Sequence, residues 1–152
     1  MRGRCKNHHG FTLIELVVVV MILGILAAIA VPRLLGASHQ ATDNGARQSL
    51  GVVRNAIDQY TAEHAGALPG ADGQELTFKS DIKNYLRGQD FPTCPIAAKN
   101  NAVRMMAGSG SIVPSISGTE TTYSWVYQFG TGDFRINSNA ATNDGSTTYD
   151  QY

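Results

Sequence analysis

Cysteine is nearly absent: Cys5 and Cys94 are the only two in 152 residues, which excludes a disulfide-stapled fold. The two flank a long apolar run and should not meet, so Cys94 reads as a small buried apolar residue rather than a reactive thiol. Histidine is equally sparse. His8 and His9 sit together near the N-terminus, while His39 and His64 stand too far apart in sequence for one metal site. No Ser/His/Asp or Cys/His set accompanies them, and no glycine-rich loop follows a strand, so neither nucleophilic catalysis nor phosphate binding is indicated. An enzyme is not expected. A surplus of positive charge is missing as well: twelve Lys and Arg balance twelve Asp and Glu. Arg33, Arg47, Arg54 and Arg104 are scattered and form no stripe of the kind nucleic acids require.

What the chain does have is one long apolar run, Phe11 to Val31, broken by a single carboxylate, Glu15. As a helix it measures about 31 Å, the thickness of a bilayer's hydrocarbon core. Arg2, Arg4 and Lys6 precede it, so the positive-inside rule places the N-terminus in the cytoplasm and the rest of the chain outside. A charge at the centre of a spanning helix costs roughly 2.5–3.5 kcal/mol, less near its end, and marks a functional position by default. A secretory signal peptide is one reading, because Ala28-Ile29-Ala30 matches a cleavage site. The run is too long for it, however, and carries a charge. A plain membrane anchor is a second reading. There Glu15 lies in the first turns, where the helix dipole favours an anion by about 0.3–1 kcal/mol.

The third reading is a resemblance. GFTLIELVVVVMILGILAAIAVPRL, residues 10–34, resembles the N-terminal segment of type IV pilins and type II secretion pseudopilins. Gly10, Phe11, Glu15 and Pro32 stand where that family has its leader-ending glycine, its phenylalanine, its glutamate and its proline. The resemblance implies that a prepilin peptidase cuts between Gly10 and Phe11, removing residues 1–10 as a leader, and methylates the new Phe11 amine. It implies a structural subunit held in the bacterial inner membrane with its C-terminal domain in the periplasm. Such a subunit polymerises with copies of itself through an inner-membrane assembly platform and a separate ATPase. The freed amine, with an ordinary pKa of about 7.7–8.0, is mostly cationic near neutral pH. Glu15 of one subunit then pairs with the Phe11 amine of its neighbour, and each charge offsets the cost of the other. On this reading Glu15 is an assembly contact that sets register, recruits the next subunit or satisfies its own N-terminus. Within the family, a major pseudopilin for protein export is the first expectation. A pilin for adhesion, motility or DNA uptake is the second, and a membrane-anchored or secreted periplasmic binding protein is the rival class.

Beyond the membrane segment the expected fold is α+β and pilin-like: a long N-terminal helix, residues 11–64, against a small antiparallel sheet within residues 65–152. Pro32 should kink or open the helix. Leu50, Val53, Ile57 and Tyr60 fall on one helical face. Gly66 and Pro69-Gly70 should stop the helix, and Ser80 to Leu86 reads as a short helix capped by Ser80. Strands are expected over Ala102–Met106, over 112–116 at an edge, and over Thr122–Phe129. The last of these carries a row of Tyr123, Trp125, Tyr127 and Phe129 and turns through Gly130-Thr131-Gly132 into a hairpin. From about residue 139 the chain is polar and reads as a mobile tail. Major pseudopilins can bind calcium near the C-terminus, which raises Asp133, Asp144 and Asp150, with Asn143, as candidate oxygen ligands. Their spacing fits no EF-hand loop, and a solvated tail competes with that reading.

Overall fold

Uninterrupted apolar residues followed by a three–four spaced apolar set produce helix α1, Leu13–Glu63. The computed structural model describes residues 11–114, 122–143 and 145–152. The leader with Cys5 and Gly10, the end of the strand expected over 112–116, and Asp144 lie outside the described residues. Two compact units divide the chain, Met1–Ser38 and His39–Tyr152.

In the first unit the apolar side chains of α1 from Leu13 through Val31 are all exposed. This helix is long and apolar enough to cross a membrane. Helix continues across Pro32, so the expected opening there is absent. The proline ring removes one i→i−4 hydrogen bond, but its fixed φ of about −65° is itself helical.

In the second unit α1 turns Ala46, Leu50, Val53, Ala56 and Ile57 inward, the face read from the sequence with two alanines added. A Cβ on Gly45 or Gly51 would meet nothing within 4 Å, so neither glycine serves close approach within the chain. Helix α2 runs Glu75–Ile82 and ends in a 3-10 turn, Lys83–Tyr85. It therefore starts before the predicted Ser80, which lies inside it and caps nothing. The chain enters it through Asp72, which accepts from the Gln74 amide at 3.0 Å and the Thr77 hydroxyl at 2.7 Å. Phe78 and Ile82, four apart, form its buried face.

Three short strands follow: β1, Val103–Met106; β2, Trp125–Gln128; and β3, Asp133–Ile136. They lie in the order β1-β2-β3. The β2–β3 hairpin is antiparallel, as expected, with Gln128 opposite Asp133. The β1–β2 pair is parallel, so the sheet is mixed rather than antiparallel. Its long connection accounts for this, since parallel neighbours need a crossover of about a dozen residues or more. Residues 112–114 form no strand, although Ile112 is buried. The central strand β2 is buried along its whole length, Gln128 included, while Tyr123 and Phe129 fall outside it and are half-buried.

An aromatic core joins sheet and helices. Phe78 stacks on Tyr127 with ring centres 4.2 Å apart, and Trp125 stacks on Phe134 at 5.2 Å. The Trp125 indole donates to the Pro92 carbonyl at 3.2 Å. On the outer strands, Glu75 accepts from the Val103 amide at 3.0 Å, and Arg54 donates to the Phe134 carbonyl at 3.0 Å. The result is the α+β, pilin-like fold: a long N-terminal helix and a small three-stranded sheet.

The segment read as a mobile tail is instead bonded into the second unit. Ala141 and Thr148 form a β-bridge, and Tyr149–Gln151 makes a 3-10 turn whose Tyr149 is buried. Asn143, Tyr149 and Tyr152 bond Asp43, Arg47 and Arg54 of α1, which are distant in sequence.

Candidate functional site

Two of the sequence-predicted processing and assembly residues, Phe11 and Glu15, lie at the start of α1, and Pro32 lies farther along the same helix. Gly10 is outside the described residues. The α1 start is built as a reciprocal cap. The Thr12 amide donates to Glu15 Oε2 at 2.8 Å, and the Thr12 hydroxyl donates to the same oxygen at 2.8 Å. In return the Glu15 amide donates to Thr12 Oγ1 at 3.3 Å. This is a capping box, in which residues at the helix entry and three positions later satisfy one another's orphan groups. The signal for it is in the sequence, because Thr12-Leu13-Ile14-Glu15 has the required spacing before an apolar run.

The box defines what the Glu15 carboxylate does within one chain. It is not an orphan charge, because two donors hold one of its oxygens. It stays exposed, and it borders a shallow apolar hollow lined by Phe11, Ile14, Val18 and Val19. A carboxylate held at the rim of an apolar surface is placed to accept a cation from outside the chain.

A second polar centre, unforeseen in the sequence, lies on the outer part of α1. Asp43 is almost fully buried. It accepts from the Asn143 amide at 3.1 Å, from Asn143 Nδ2 at 2.5 Å and from the Tyr149 hydroxyl at 2.8 Å. Burial, and then the hydrogen bond to Asp43, push the Tyr149 hydroxyl well above its usual range. Nearby, the Arg47 guanidinium lies over the Tyr152 ring, 4.1 Å from its centre, and donates to its hydroxyl at 2.9 Å. Arg54 donates to the Tyr152 carbonyl at 2.7 Å. Burial lowers the Arg54 pKa, because its charge is only partly hydrated.

Of the calcium candidates, Asp133, Asn143 and Asp150 lie within the described residues. Asp133 is paired with Arg135, whose Nε and Nη2 each reach its Oδ2 at 2.8 Å. Asn143 is spent on Asp43, and Asp144 is outside the described residues. Asp150 Oδ1 is buried without a hydrogen-bond partner, a single oxygen where calcium takes roughly six to eight. Among the described residues no three His, Cys, Asp or Glu side chains gather as metal ligands. Cys94 is buried as expected, and burial pushes its thiol up to about 11.

Comparison with known proteins agrees with the N-terminal geometry. A family model described as the prokaryotic N-terminal methylation motif matches residues 5–31. The chain is similar to the type II secretion system core protein G of Vibrio cholerae, 40% identical over 41% of this chain and 42% of that protein. It is also similar to core protein G of Pseudomonas aeruginosa, 35% identical over 52% of this chain and 56% of that protein. A type IV narrow pilus major component, PilA5 of Thermus thermophilus, is 43% identical over 41% of this chain and 53% of its own length. The matched stretch thus spans about half the length of these relatives. No solved structure matches the chain. Residues 5–31 thus carry a prokaryotic N-terminal methylation motif on a helix long and apolar enough to cross a membrane, and the N-terminal part of the chain is similar to type II secretion core protein G and to a type IV pilus component.

Proposed function

We propose that this chain is a structural subunit of a type IV pilus-like filament, a pseudopilin polymerised for type II protein secretion. The observation that carries the reading is Glu15. It is an exposed carboxylate, held by Thr12, at the entry of a helix whose apolar residues through Val31 are all bare. A helix in that state is stored in lipid or covered by copies of itself. The N-terminus lies in the cytoplasm and the C-terminal unit in the periplasm, following the basic residues ahead of the apolar run. A prepilin peptidase removes residues 1–10 and methylates Phe11. The new cation at Phe11 and the Glu15 carboxylate of the next subunit then meet in an apolar setting, where each relieves the other. Assembly draws on an inner-membrane platform.

Mass spectrometry of the mature N-terminus tests the reading. A chain that begins at methylated Phe11 supports it, and one that begins at Val31 ends it in favour of a secreted protein. The pilus component from Thermus supports a second reading, a surface pilin. Short periplasmic assemblies required for export favour the pseudopilin, whereas long surface fibres favour the pilin.

A further inference from the structure

We infer that the C-terminal segment is seated by charged side chains rather than by a metal ion, with Asp43 holding Asn143 and Tyr149 and Arg135 standing beside Asp133 and Asp150, and that it therefore closes without calcium. On the cation side, Arg135 holds Asp133 through Nε and Nη2 and donates from Nη1 to the Asp150 carbonyl at 3.4 Å. The guanidinium thus bonds two of the three acidic residues raised as calcium ligands. An ion bridging Asp133 and Asp150 would meet a fixed positive charge that already links them, and like charges at close range in a partly buried site repel strongly. Asp150 Oδ1 is buried without a hydrogen-bond partner, and the cation next to its residue is Arg135, which bonds the Asp150 backbone carbonyl.

On the anion side, Asn143 turns its amide donors to the interior. Its Nδ2 donates to Asp43 Oδ1, to the Tyr149 hydroxyl at 3.0 Å and to the His39 carbonyl at 3.4 Å. Asp43 thereby gathers both ends of the 143–149 loop onto α1 through charge-assisted hydrogen bonds, roughly twice as strong as neutral ones. A buried carboxylate with three donors has its charge compensated and needs no further cation. The inference concerns the unit His39–Tyr152 alone and holds or fails whether or not the chain polymerises.

The test uses the full chain in detergent micelles, with thermal melting and amide hydrogen exchange followed in millimolar calcium chloride and in excess EGTA. The expected result is the same melting temperature and the same exchange at Tyr149 in both buffers. Asp43→Ala should then raise exchange at the Tyr149 amide by about tenfold or more in either buffer, the effect of losing a hydrogen bond to a charged group. That amide bonds the Ala140 carbonyl and does not touch Asp43, so it reports opening of the segment. Should Asp43→Ala fail to fold, Asp43→Asn gives the same reading with a smaller rise. Unchanged protection in the variant that folds overturns the inference. So does a calcium-dependent rise in melting temperature that Asp150→Asn abolishes.

Discussion

The two tasks assigned to Glu15, capping its own helix and pairing with a neighbour, are separable by magnitude. Thr12→Val keeps the branched shape and the backbone amide but deletes the hydroxyl. Of the three contacts in the box it removes two and leaves the 2.8 Å bond from the Thr12 amide to Glu15. Loss of such a cap costs about 0.5–2 kcal/mol. Glu15→Ala removes both bonds to the carboxylate, and if capping were its whole role the cost would be similar. Removing one partner of a buried charge pair costs about 3–5 kcal/mol, a hundredfold or more in an equilibrium. The assay is the amount of each variant recovered in sheared filaments relative to the amount held in the membrane. Thr12→Val should assemble within about tenfold of wild type, and Glu15→Ala should fall by about a hundredfold or more. Glu15→Gln keeps an acceptor for Thr12 and loses only the charge, so it should follow Glu15→Ala. Equal defects in Thr12→Val and Glu15→Ala would reduce Glu15 to a cap. Normal assembly of Glu15→Gln would remove charge pairing from the account.

Phe78→Ala should destabilise the second unit by about 3–5 kcal/mol, because it empties the centre of the aromatic core. A urea midpoint close to wild type would mean that the stack on Tyr127 contributes little. Cys94 provides a pH dependence. Its thiol is raised from 9.0 to about 11 in the folded chain, so the unfolded chain ionises first as pH rises. Its contribution is complete below pH 9 and is lost as pH climbs toward 11, which a denaturant midpoint falling across that window would register. In a Cys5→Ser background, alkylation of Cys94 should be slow in the folded chain and fast in urea. Fast labelling without urea would place the thiol at the surface.

The parts legible in the sequence are those written in local pattern. Leu50, Val53, Ile57 and Tyr60 announced the buried face because helical period is a nearest-neighbour property. The β2–β3 hairpin was legible through its glycine loop for the same reason. The Thr12–Glu15 box is equally local, since its Thr-x-x-Glu spacing stands directly before the apolar run. Partner choice over distance was not legible. Asp43 and Asn143 are separated by 100 residues, and nothing near either one names the other. A run of Asn, Thr, Ser and Asp read as a solvated tail because its polarity looked unsatisfied. The partners that satisfy it stand on α1. The parallel pairing of β1 with β2 was hidden likewise, since short strands carry no mark of direction. The start of α2 was hidden because its N-cap is Gln74, which makes no side-chain capping bond, whereas Ser80 inside the helix has the sequence form of a cap.

The occupied outer strands limit how copies of this chain can meet. A small sheet with bare edges is a template on which another chain can add a strand, and that route leads to uncontrolled aggregation. Here each outer strand is only four residues long, and a side chain from a helix already bonds its backbone, Glu75 at Val103 and Arg54 at Phe134. Strand addition is thereby disfavoured at both edges. On the proposed reading, ordered growth would be left to the bare apolar helix, so a subunit kept in lipid would also be kept from polymerising, and release from the bilayer would control when growth begins.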